Sequence, residues 1–162
     1  MGLISNGSTV FDAGAMSAGF GGSMVFIKKL TASSSSTLSF VDGASSVVLD
    51  GTYKEYLFTF NNLHPSENAH ANFTMNFSID TGSNYNVTKT TTLFRTYHQE
   101  NGGSSSLLYQ NEFDLAQGTG FQNLYAYGAG DDADLCWGGT MSLHDPSSTT
   151  FVKHFISNIS GT

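Results

Sequence analysis

His64, Glu67 and His70 fall within seven residues, and imidazole and carboxylate are ligand types that zinc takes. Pro65 stands among them, so the segment reads as a polar turn with no helix to set the three side chains on a common face. Asp131, Asp132 and Asp134 lie between Gly130 and Cys136. Calcium uses such oxygen-rich loops, but the glycine and distal glutamate of an EF-hand register are missing, so a solvated acidic turn is expected. No Gly-x-Ser-x-Gly turn is present to hold an acyl-transfer nucleophile. The thirteen carboxylates are scattered over predicted loops, and no pair stands out for glycoside hydrolysis. Gly118-Thr119-Gly120 does not open a helix after a strand, so it is not a phosphate loop. Cys136, beside Trp137, reads as a small buried hydrophobe. His144 and His154 fall on predicted strands and read as structural. Tyr97, Tyr109, Tyr125 and Tyr127 offer a sugar- or protein-binding face, although packing is the more ordinary use of such rings. No catalytic, cofactor-binding or metal-ligating residue is assigned, and the chain is not expected to be an enzyme.

Composition narrows the field further. The 162 residues suit one domain. Charged residues are 12% of the chain, about half the usual share, while Ser and Thr supply 39 residues and Gly 18. A long charged helix is excluded on that ground. The net charge of -7, six basic against thirteen acidic residues, leaves no basic footprint for nucleic acid. Aromatic residues at 13% argue against disorder, and a single cysteine excludes an internal disulfide. The first six residues carry no Lys or Arg and no long apolar run, so no secretory signal is expected. No stretch is apolar enough to suggest a membrane span.

The elements that must position these residues read as strand after strand. Residues 53–60 alternate, with Tyr56, Phe58 and Phe60 on one face and Glu55, Leu57 and Thr59 on the other. Residues 72–80 alternate more cleanly, with Phe73, Met75, Phe77 and Ile79 sharing a face. Residues 85–97 are rich in β-branched Thr. Further strands are predicted at 23–30, 37–41, 47–49, 121–127, 140–144 and 150–157. Residues 107–117 are the one helical candidate. Turn signals such as Asp42-Gly43, Thr81-Gly82 and Asp145-Pro146 recur every eight to twelve residues, a spacing that argues for an antiparallel β-sandwich or barrel. Residues 1–22 read differently. Six glycines interrupt the spaced apolar residues Leu3, Ile4, Val10, Phe11, Met16 and Phe20. Such a segment rarely orders alone, so an extended arm is expected, held by a neighbouring subunit or packed on its own domain, followed by a β-sandwich domain over residues 23–162.

Seven stretches along the whole chain carry a resemblance: residues 4–11 (ISNGSTVF), 26–31 (FIKKLT), 53–65 (YKEYLFTFNNLHP), 84–92 (NYNVTKTTT), Tyr97-His98, 114–117 (DLAQ) and 146–156 (PSSTTFVKHFI). The chain resembles a family of small proteins encoded by tailed phages of marine bacteria. The resemblance implies a virion β-sandwich and brings no catalytic residues. It also implies further β-strands past the region of Ile156, ending in a leucine- or methionine-tyrosine-glycine tail, a pattern from which this sequence departs. Few charges and many hydroxyls suit copies packed closely without like-charge repulsion. The resulting expectation is an all-β, antiparallel, jelly-roll-like sandwich made in the host cytoplasm and located in the virion. It decorates or cements the capsid as a homotrimer, bound to the major capsid protein or another virion protein, with no cofactor, nucleic acid or membrane. In this reading Leu3, Ile4, Val10, Phe11, Met16 and Phe20 are the partner-binding residues. The rival expectation is a tail-fibre or receptor-binding domain that touches the host through residues 67–71 and 101–106.

Overall fold

The computed structural model describes residues 3–5, 8–12, 15–16, 24–66, 72–127 and 131–161, the first three segments by backbone pairing alone. The protein is all-β and its strands pair antiparallel; among the described residues the one helical element is a 3-10 turn at Asn111–Phe113. Strands β1 (Leu3–Ser5), β2 (Ser8–Asp12) and β3 (Ala15–Met16) form a three-stranded sheet in chain order. These described residues of the N-terminal segment pair antiparallel with one another, Ser5 opposite Ser8 and Asp12 opposite Ala15. Pairing satisfies backbone groups that an extended segment leaves to water.

A second sheet carries the core. Strands β4 (Glu55–Leu63), β9 (Trp137–His144) and β10 (His154–Gly161) lie in the order β10-β9-β4. Successive side chains point to opposite faces. The inner face therefore gathers Tyr56, Phe58 and Phe60 of β4, Trp137, Met141 and Leu143 of β9, and Phe155 and Ile159 of β10. The outer face carries Leu57, Ser142 and Ile156 in one row, with Thr59, Thr140 and Asn158 in the next. A bulge separates Phe60, opposite Gly139, from Leu63, opposite Trp137, with Asn62 at φ 49°. Without that extra residue Leu63 would share the outer face with Leu57 and Thr59; the bulge returns it to a half-buried place beside Trp137.

Two short ladders complete the described strands: β5 (Thr74–Met75) with β8 (Gln122–Asn123), and β6 (Phe94–His98) with β7 (Ser105–Tyr109). Phe73 stacks on Trp137 at 5.7 Å between centroids and meets Phe60 edge-on at 4.9 Å, which packs this layer on the second sheet. The four sheets are not closed into one continuous sandwich. Residues 24–30 and 37–49 are irregular rather than strands, although Val47 is buried and Phe40 packs edge-on against Phe58. The helical candidate divides into β7 and the 3-10 turn.

Residues 72–80 keep ladder pairing only at Thr74 and Met75, and Ile79, expected on the inner face, is 89% exposed. The cause is the Asp80 turn. The Ser78 hydroxyl donates to Asp80 Oδ1 at 2.6 Å, Asn84 Nδ2 donates to Oδ2 at 2.6 Å, and the Asn84 N–H donates to Oδ1 at 2.8 Å. These bonds, Ser78's first and then Asn84's, favour the carboxylate and hold its pKa down to about 2 from 3.8. A depressed carboxylate contributes stability that is present above its unfolded pKa and is lost as pH falls through the folded value. Between pH 3.8 and about 2 the protein is therefore expected to lose stability that Asp80→Asn does not lose. Urea midpoints measured across that window for both proteins check it; parallel curves would remove the turn from the account of acid sensitivity.

Candidate functional site

The described residues whose types suggested chemistry lie at several places in the fold. His64 Nδ1 lies 2.7 Å from the Leu135 carbonyl oxygen, while Glu67 and His70 fall outside the described residues. Asp131, Asp132 and Asp134 are exposed in a turn closed by the Leu135 N–H donating to the Asp132 carbonyl at 3.0 Å. Among the described residues no three His, Cys, Asp or Glu side chains come together to hold a metal ion. Cys136 is half-buried, and His144 and His154 stand directly opposite each other on β9 and β10. Leu3, Ile4, Val10, Phe11 and Met16 lie on β1 to β3, described by backbone only, and Phe20 is outside the described residues.

Three of the four singled-out tyrosines do converge. On β6, Arg95 and Tyr97 are two residues apart and so share a face; the exposure pattern puts them on the sheltered side of the hairpin. Tyr125 and Tyr127 come from the segment after β8. The Arg95 guanidinium carbon lies 4.7 Å from the Tyr97 ring centroid and 4.6 Å from that of Tyr127, both within cation-π reach. Each ring is itself held. Tyr97 and Ser104 share a hydroxyl hydrogen bond at 3.2 Å, and Tyr127 packs edge-on against Phe113. Tyr125 donates to the Gly161 carbonyl at 2.8 Å, which ties this segment to the end of β10. Around them is a cleft of about 600 Å³, lined also by His98, Gln99 and Glu100. The only ion pair among the described residues is Lys54 with Asp145, so the Arg95 charge has no carboxylate partner there. Tyr109 is elsewhere, donating to Asp114 on the other side of the hairpin.

That other side is apolar. Phe94, Leu107 and Tyr109 stand together on the exposed face of the β6–β7 hairpin, Phe94 opposite Tyr109 with ring centroids 5.2 Å apart. Phe94 is 67% and Leu107 69% exposed. Phe26, Phe151, Val152 and Ile156 are exposed as well, and no large side chain among the described residues is less than 2% exposed.

Two features escaped the sequence. Arg95 carried a signal, its two-residue spacing from Tyr97, but Tyr127 lies thirty residues on and only the fold joins them. Lys89 carried none. It is buried, its ammonium donates to Asn76 Oδ1 and the Val87 carbonyl, and burial lowers its pKa by disfavouring the charged form. Comparisons with protein-family models, with curated proteins and with solved structures find no match for this chain.

Proposed function

We propose that the protein is a structural subunit of a phage virion that decorates the capsid exterior, assembled as a homotrimer and seated on the major capsid protein or another virion protein. In this reading its open sheets are completed into a jelly-roll-like sandwich by neighbouring copies, and the apolar residues Leu3, Ile4, Val10, Phe11, Met16 and Phe20 contribute to docking. The observation that supports it is the apolar surface a lone subunit leaves in water. Monomeric proteins seldom expose contiguous apolar faces such as Phe94, Leu107 and Tyr109, which more often mark contact sites. The low charge density lets identical surfaces approach, and the resemblance to marine phage proteins points to a particle as the setting.

Sedimentation of the purified full chain is expected to show an oligomer. Burying a large apolar side chain contributes about 1.5–3 kcal/mol. Phe94→Glu combined with Leu107→Lys is therefore expected to weaken association at least about a hundredfold. A wild-type protein that sediments as a monomer at all concentrations overturns the proposal. Deleting residues 1–20 and measuring occupancy on purified particles tests the docking role, for which unchanged occupancy is the contrary result. The second reading is a tail-fibre or receptor-binding domain, and the Arg95–tyrosine cleft favours it. Copy number separates the two: hundreds per particle support decoration, a few tens or fewer support a tail.

A further inference from the structure

We infer that the cleft between residues 95–100 and residues 125–127 binds a sugar that carries a carboxylate, such as a uronic acid unit of an acidic polysaccharide. The inference does not depend on the assembly reading. It begins with Arg95. Tyr97 and Tyr127 occupy the π-stacking capacity of the guanidinium, at 4.7 and 4.6 Å. What remains is the in-plane fork of N–H donors, whose geometry matches the two oxygens of a carboxylate. Two rings held in place by Ser104 and Phe113 reduce the freedom this long side chain would lose on binding. The site is thus preorganised, and among the described residues Arg95 makes no ion pair.

The walls select further. His98, Gln99, Glu100 and the phenol groups of Tyr97 and Tyr127 supply both donors and acceptors, as a ring of hydroxyl groups requires. The volume of about 600 Å³ lies within the range of small-molecule sites. Charge decides between anions. The lining holds one arginine and one glutamate, with no second Lys or Arg, on a chain of net charge -7. A singly charged ligand meets one guanidinium and one carboxylate, that of Glu100. A phosphate dianion would meet Glu100 and the acidic surroundings without a second cation to offset them.

Ligand-observed saturation-transfer NMR on the full chain tests this, because it tolerates large assemblies. The probes are D-glucuronate, its methyl ester, D-glucose and inorganic phosphate. Saturable transfer to the glucuronate ring protons is expected, with the ester and glucose at least about tenfold weaker, the scale of one charge-assisted contact. Phosphate at equal concentration is expected not to displace glucuronate. Arg95→Gln abolishes the signal, and Arg95→Lys, which keeps the charge but loses the fork, weakens it about tenfold. Tyr127→Leu, at an exposed ring, weakens binding while leaving the thermal midpoint near wild type. If Arg95→Gln fails to fold, the ester comparison and Tyr127→Leu still decide the matter. Equal transfer to glucose and glucuronate, displacement by phosphate, or retention of binding in folded Arg95→Gln or Arg95→Lys would each overturn the assignment.

Discussion

Gly139→Ala is expected to destabilise the protein by about 3 kcal/mol or more, whereas Gly138→Ala, one residue away on the same strand, changes stability by about 1 kcal/mol or less. Gly139 lies on β9 with φ at 152°, flanked by Phe60 of β4 and Ile159 of β10. A Cβ there would run into the Asn158 carbonyl oxygen and stand 2.9 Å from Ile159 Cα. Both obstacles are backbone of the neighbouring strand, so neither can rotate away, and relief means parting β9 from β10. A Cβ on Gly138 would have Phe60 O as its nearest neighbour, at an ordinary 3.6 Å. Urea unfolding of the two variants side by side reads the difference, and the matched chemistry cancels the general cost of placing Ala in a strand. Equal midpoints would mean that β9 and β10 do not approach so closely.

Gln122→Leu is the second substitution with a large expected effect, about 2–4 kcal/mol from several buried polar groups left without partners. Gln122 is 3% exposed. Its Nε2 donates to the Phe113 carbonyl at 3.1 Å and to the Asn123 carbonyl at 2.8 Å, and its Oε1 accepts from the Thr91 hydroxyl. The same hydroxyl accepts from the Leu115 N–H at 2.9 Å. One amide thus ties β8 to the segment that leads into β6 and to the turn after β7, the three segments that bring Arg95 and Tyr127 together. Leucine keeps the volume and removes every bond. Thr91→Val tests the network: the double variant is expected to be less destabilised than the sum of the singles, because both remove one shared hydrogen bond. Strict additivity in chemical unfolding would show that the two side chains act separately.

The pleat made part of this molecule readable in advance. Tyr56, Phe58 and Phe60 were assigned to one face by alternation alone, and β4 buries that face. Alternation failed at Ile79 because a local polar turn outcompeted the ladder: Ser78, Asp80 and Asn84 bond to one another within seven residues and draw the chain out of the sheet. It failed again in the run expected at 23–30, whose described residues 24–30 pair with no strand among the described residues.

By itself the sequence determined the class of structure: β-branched and aromatic residues at a period of two, punctuated by turn residues, can bury one face only as sheet. It also determined the small charge, the lone cysteine and the four tyrosines available for a binding surface. Which strand pairs with which was decided only by tertiary packing, and so was the convergence of Arg95 with Tyr97 and Tyr127. Pairing partners and sites of this kind join residues far apart in the chain. Periodicity reports which side of a strand a residue occupies, but the element facing that side is chosen by the free energy of the whole fold.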